Sequence, residues 1–135
     1  EEMAMAALEA GIAFNNASVT VVHGMSRPIG ALFHVPHGIS NAMLDEKCFE
    51  YVLDDAYDRF GDLARAVGRA SNDMPAQEAA KAFLKIVQEL CIVCEIPTLE
   101  EYGIDKNAFF AKLNKMASDA MESGSPSNTR KNLEK

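Results

Sequence analysis

Apolar residues recur at intervals of three and four through almost the whole chain, and this helical period leaves no segment that has to be a sheet. Met5, Leu8, Ile12 and Ala13 open a stripe that continues through Ala17, Val19, Val21 and Val22. Residues 3–25 therefore read as one or two helices, apolar on most sides and so expected to be buried. Gly11 marks a break or a close packing point within them. The β-branched run Val19–Val22 competes as a strand, but the flanking apolar spacing is longer than a strand needs. Gly24, Pro28, Gly30, Pro36 and Gly38 make residues 24–40 a turn-rich connection between two helices.

Further helices are expected over about 38–50, 51–69 and 75–94. Leu53, Tyr57, Phe60, Leu63, Ala64 and Val67 mark the second, closed by Gly68; Phe83, Ile86, Val87, Leu90, Cys91 and Cys94 mark the third, with Pro75 at its first position. Thr98-Leu99-Glu100-Glu101 is a capping-box pattern that Gly103 limits to about one turn. Asp105 caps a last helix whose stripe is Phe109, Phe110, Leu113, Met116, Ala117 and Ala120. The fold class is an all-α bundle of five to seven helices, a helical domain over 1–121 followed by a polar loop or disordered tail over 122–135.

At 135 residues the chain is one domain's worth. Thirteen Lys and Arg against twenty Asp and Glu leave a net charge of −7, which argues against a nucleic acid or an anionic membrane surface as partner. Glu50, Asp54, Asp55, Asp58 and Asp62 recur at helical spacing as a solvated face. No apolar run approaches the roughly 20 residues that span a bilayer, and Glu1-Glu2-Met3-Ala4 lacks the basic start of a signal peptide. Three cysteines, an odd number, fit a reducing, cytoplasmic setting better than a disulfide framework. The chain does not begin with Met and stops in a polar stretch, so both ends fit cuts in a longer protein.

All three histidines, His23, His34 and His37, fall within fifteen residues. Neutral imidazole is the commonest protein metal ligand, and Gly and Pro can fold a connection back so that two of them converge. His34, one turn from His37, reads as a surface group or a support for a ligand. Two imidazoles do not complete a site, since a four-coordinate metal takes three or four protein ligands. The nearest carboxylates, Asp45 and Glu46, look like a solvated helix face.

The run Gly11-Ile12-Ala13-Phe14-Asn15-Asn16-Ala17, followed by His23-Gly24-Met25 through Pro36-His37-Gly38, resembles the iron-containing (group III) alcohol dehydrogenase family. The likeness continues through Ile39–Leu44, Leu63–Gly68, Ile96–Leu99, Gly103-Ile104 and Gly124-Ser125-Pro126-Ser127-Asn128, and so covers nearly the whole chain. The resemblance implies a two-domain enzyme of the dehydroquinate synthase-like fold, with an α/β domain for NAD(P) and an all-helical C-terminal domain that holds the metal. This chain looks like most of the second domain, and it has no Gly-rich dinucleotide turn or parallel βαβ pattern.

In that family an Asp and three His bind the divalent metal. The resemblance assigns His23 and His37 as two of them and places the others upstream of Glu1. Fe²⁺ is the implied ion, with Zn²⁺ also suited to imidazole and oxygen donors. Several members carry a further His near the nicotinamide where this chain has Arg27, so no proton-relay role transfers. Phe14 matches a position that lines the substrate pocket, and reads equally as a core aromatic. The implied activity is reversible NAD(P)-linked interconversion of small alcohols or diols and aldehydes or ketones by a homo-oligomer, with the fragment alone inactive.

Two other readings compete. A stand-alone helical interaction module explains the amphipathic stripes but has no need of the paired-histidine block. A zinc protein built on Cys91-x-x-Cys94 has one weak pair, and both sulfurs fall on the apolar side of a helix, where free Cys acts as a small hydrophobe.

Overall fold

The computed structural model describes residues 1–133. Among them are six α-helices and no strand: α1 Glu2–Ala17, α2 Val21–Phe33, α3 His37–Val52, α4 Tyr57–Ala66, α5 Ala76–Val93 and α6 Lys106–Glu122. Short 3₁₀ turns stand at Leu53–Asp55 and Ser125–Asn128.

The first apolar stretch is two helices, and neither Gly11 nor a strand divides them. The break is at Ser18, held at φ 64°, and the two axes bend by 108°. No single helix is long and apolar enough to cross a membrane among the described residues.

The expected turn-rich connection over 24–40 is corrected. Residues 24–33 belong to α2, with Pro28 inside the helix, and only residues 34–36 connect it to α3. Pro28 removes the amide that would bond the Gly24 carbonyl. Tertiary packing outweighs that local cost, because Val22, Ser26 and Ile29 of the same helix are all buried. The chain turns at His34, in the left-handed region at φ 56°, and at Pro36.

Two apolar clusters hold the bundle together. One gathers Ile29, Val35, Ile104 and Met116, with Phe33 and Phe109 stacked at 5.9 Å beside them. The other gathers Val52, Ala56, Phe60 and Ala80, flanked by Phe49 and Phe83. α4 lies along α5, α3 bridges α2 to α5, and α6 also packs on α2. Leu53 begins a 3₁₀ turn rather than α4, and Pro75 precedes the first residue of α5 rather than occupying it. The expected capping box forms: the Glu101 amide bonds Thr98 Oγ1 at 3.2 Å, and the Thr98 amide bonds Glu101 Oε2 at 2.8 Å. Asp105 Oδ1 accepts the Ala108 amide and caps α6.

The polar segment after α6 is stitched to the bundle as far as Lys131. Ser125 and Pro126 are buried against α2. Asn128 donates to Ser18 Oγ and the Val19 carbonyl, and Thr129 Oγ1 accepts the Val21 amide at the start of α2. Arg130 pairs with Asp58 and Lys131 with Asp54, so the acidic face that the sequence places in solvent also anchors this strand of chain.

α1 departs furthest from expectation. It has no buried residue and packs on no other element among the described residues. Met3 is 82% exposed and Leu8 59%, although the stripe predicts burial. The apolar face is there, but no other described element covers it.

Candidate metal centre

His23 is the third residue of α2, and His37 is the first of α3. The three-residue connection reverses the chain and brings the two helix starts together. The imidazole centroids lie 5.2 Å apart with planes tilted by 60°. That spacing lets two ring nitrogens address one point between them. His23 is half-buried and His37 exposed, so the point is open to the outside.

Each histidine is fixed through a serine three residues on. Ser26 Oγ donates to the His23 carbonyl at 3.3 Å, and Ser40 Oγ donates to the His37 carbonyl at 3.0 Å. Both serines are fully buried, so each hydroxyl meets its hydrogen-bonding need on the turn that carries its histidine. A sequence signal for this exists: His23-Gly24-Met25-Ser26 and His37-Gly38-Ile39-Ser40 repeat one pattern, His-Gly-x-Ser. The reading of the motif stopped at the histidines and missed the serines.

Gly24, next to His23, meets Pro126 of the last 3₁₀ turn. A Cβ there would sit 2.8 Å from the Pro126 ring, so only glycine admits this approach. Asn41 is a further missed residue. Its Nδ2 lies 3.2 Å from His37 Nε2, one turn along α3, and restrains the ring. The Asn41 Oδ1 is buried without a partner, the one such side-chain atom among the described residues.

The charge state suits a ligand role. Burial lowers the pKa of His23 below the ordinary imidazole value, and the charges of His37 and Arg27 lower it further. The neutral ring, with a lone pair to give, is the favoured form near neutrality.

Other groups do not join the pair. His34 is exposed at the end of α2. Phe14 is 56% exposed on α1, whereas the imidazoles come from α2 and α3. Asp45 and Glu46 are half-buried against α5 rather than freely solvated; burial raises the pKa of Asp45, and Glu46 accepts from Gln88. Cys91 is half-buried with its Sγ 4.0 Å from the Ala42 carbonyl, whereas Cys94 is exposed at the end of α5 rather than packed inside. Among the described residues no three His, Cys, Asp or Glu side chains come together. An apolar cavity of about 380 Å³, lined by Val21, Met25, Cys48, Tyr51, Met121 and Leu133 among others, holds neither imidazole.

The donor set thus fits a divalent first-row metal in kind and supplies half of a four-coordinate shell. Two converging imidazoles are the expected contribution of one helical half of such a site.

Comparison with known proteins places the chain in a family. The chain is 33% identical to lactaldehyde reductase of Escherichia coli (strain K12) over 127 residues, covering 93% of this chain and 33% of that protein. It is 35% identical to 1,3-propanediol dehydrogenase of Citrobacter freundii over 136 residues, covering 100% of this chain and 34% of that protein. Among solved structures, a 1,3-propanediol oxidoreductase superposes with a TM-score of 0.87 at 30% identity, covering 97% of this chain and 34% of the other. The chain therefore spans about a third of the length of the relatives it matches. The model of the Fe-containing alcohol dehydrogenase family, C-terminal, matches residues 1–135, and the chain belongs to that family.

Proposed function

We propose that this chain is the C-terminal, metal-holding part of an NAD(P)-linked alcohol dehydrogenase that interconverts small alcohols or diols with aldehydes or ketones. The observation that carries the reading is the approach of His23 and His37 to 5.2 Å at the junction of α2 and α3. In this reading both imidazoles are ligands of Fe²⁺, and the remaining ligands and the dinucleotide site lie outside these 135 residues. A divalent cation held there supplies Lewis acidity toward an alcohol or carbonyl oxygen.

The chain's own residues then have defined tasks. Ser26 and Ser40 hold the helical turns that aim the rings, and Asn41 restrains His37. The depressed pKa keeps His23 available as a donor near neutral pH. Phe14, on the uncovered helix, is assigned to the wall of the substrate pocket, where an exposed aromatic would exclude water once the rest of the enzyme covers it. The uncovered face of α1 also supports a homo-oligomer, and three free cysteines fit a cytoplasmic enzyme.

The test uses the complete polypeptide that carries this domain. Wild type, with Fe²⁺ and NAD⁺ or NADP⁺, is expected to oxidise propane-1,3-diol or propane-1,2-diol. His23→Ala and His37→Ala are expected to lose both the metal and the activity. The 135-residue chain alone is expected to give no turnover. Turnover by this piece, or activity unchanged in both variants, contradicts the proposal. The uncovered α1 would equally serve a stand-alone interaction module, which needs no metal and predicts no loss from either substitution.

A further inference from the structure

Arg27 stands one helical turn beyond His23 on α2, so its side chain shares a face with that imidazole. It is exposed, and its charge is felt at the His23 ring. Three other arginines have a carboxylate partner, Arg65 with Asp62, Arg69 with Glu89 and Arg130 with Asp58, whereas Arg59, on α4 and remote in sequence from the imidazole pair, has none among the described residues. Arg27 pairs with no carboxylate among the described residues, although the chain carries seven excess negative charges. Its one fixed contact is neutral. Nη1 donates to Ser125 Oγ at 3.2 Å, and Ser125 is buried under the last 3₁₀ turn at 5% exposure. A guanidinium has five N–H donors, so this anchor orients the group and leaves most of its donors open.

We propose that Arg27 is a specificity-determining residue that receives the carboxylate of a small hydroxy acid or oxo acid whose carbinol or carbonyl carbon reacts beside His23 and His37. The inference rests on the dehydrogenase reading above and names its substrate class. The planar fork of Arg matches a carboxylate in a charge-assisted, two-point contact that Lys does not reproduce. With the rest of the enzyme closed over the site and water excluded, a neutral diol would leave that fork unpaired, and such a site discriminates against the neutral analogue. In the oxidising direction the carbinol carbon gives a hydride to NAD(P)⁺ and the hydroxyl gives its proton to solvent. The products are the oxo acid and NAD(P)H, and Arg27 neither gains nor loses a proton.

The experiment compares 3-hydroxypropanoate with propane-1,3-diol, a pair matched in length and different in charge, in the complete enzyme. Wild type is expected to show the higher kcat/KM for the carboxylate. Arg27→Gln is expected to lower the ratio of the two values at least tenfold, mainly through KM for the carboxylate, and Arg27→Lys to lower it less. Calorimetric titration of 3-hydroxypropanoate without dinucleotide is expected to show binding to wild type that Arg27→Gln weakens by a similar factor. An unchanged ratio overturns the proposal. So does a rise in the dinucleotide KM with an unchanged ratio, which makes a cofactor phosphate the anion bound. A wild-type enzyme that oxidises neither compound, nor any neutral alcohol, removes the dehydrogenase reading and this inference with it. Oxidation of neutral alcohols with no preference for the carboxylate removes only the inference.

Discussion

Helices α1 and α2 follow one another across three residues, both rich in apolar side chains, and their surroundings are opposite. α2 buries Val22, Ser26 and Ile29, touches α3 and α6, and is held at its start by Asn128 and Thr129. α1 buries nothing and leaves Met3, Leu8, Ile12 and Phe14 each more than half exposed. The difference teaches that an apolar stripe specifies that a face needs a partner, not that the partner is in the same polypeptide segment. α2 found its partner and became the frame of the imidazole pair. α1 presents an apolar face that no other described element covers.

The contrast can be broken by substitution, with unfolding by denaturant as the measurement. Ile29→Ala, at a side chain only 1% exposed, is expected to cost about 2–5 kcal/mol of stability. Gly24→Ala comes next, at roughly 1–3 kcal/mol, because the new methyl meets the Pro126 ring. Gly11→Ala on α1 meets nothing closer than 4.0 Å and is expected to stabilise by about 0.5–1 kcal/mol through helix propensity. Leu8→Gln on α1 is expected to change stability by less than about 0.5 kcal/mol while reducing self-association on size-exclusion chromatography. A large loss from Leu8→Gln, or none from Ile29→Ala, erases the distinction between the two helices.

Two chemical probes sharpen it further. The pKa of His23 is lower in the folded chain than in the unfolded one, so the unfolded state takes up the proton first as pH falls. Stability is therefore expected to fall as pH drops through the ordinary imidazole range, with the slope reduced in His23→Gln. A slope unaltered by that substitution contradicts the assignment. The smallest effect is in thiol reactivity. Burial pushes the Cys48 thiol to about 11, whereas Cys94 is exposed. Iodoacetamide at pH 8 is expected to modify Cys94 well before Cys48, as read by peptide mass spectrometry.

Much of this architecture was legible in the residues. The spacing of Phe83, Ile86 and Val87, or of Phe109, Leu113 and Met116, admits only a helix, and the caps at Thr98 and Asp105 formed as their chemistry demands. Pro28 and Gly24 misled because they are local signals of a break, whereas packing of Ile29 against Val35, Ile104 and Met116 is a long-range gain that outweighs them. The exposure of α1 was not legible, since periodicity says which residues share a face and not what lies opposite it. In the candidate site the histidines announced themselves by their glycine and proline neighbours. Ser26, Ser40 and Asn41 act on those histidines through single hydrogen bonds, and such bonds become visible only when the helical turn is drawn in three dimensions.

The account stands on two imidazoles serving one metal ion. Iron content per protomer, measured on the complete polypeptide purified anaerobically with Fe²⁺, tests this most directly in wild type and in His23→Ala, His37→Ala and the double variant. Near-stoichiometric iron in wild type, lost from each variant while the helical circular dichroism is retained, is the predicted result. Iron retained at the wild-type level by the double variant would contradict it.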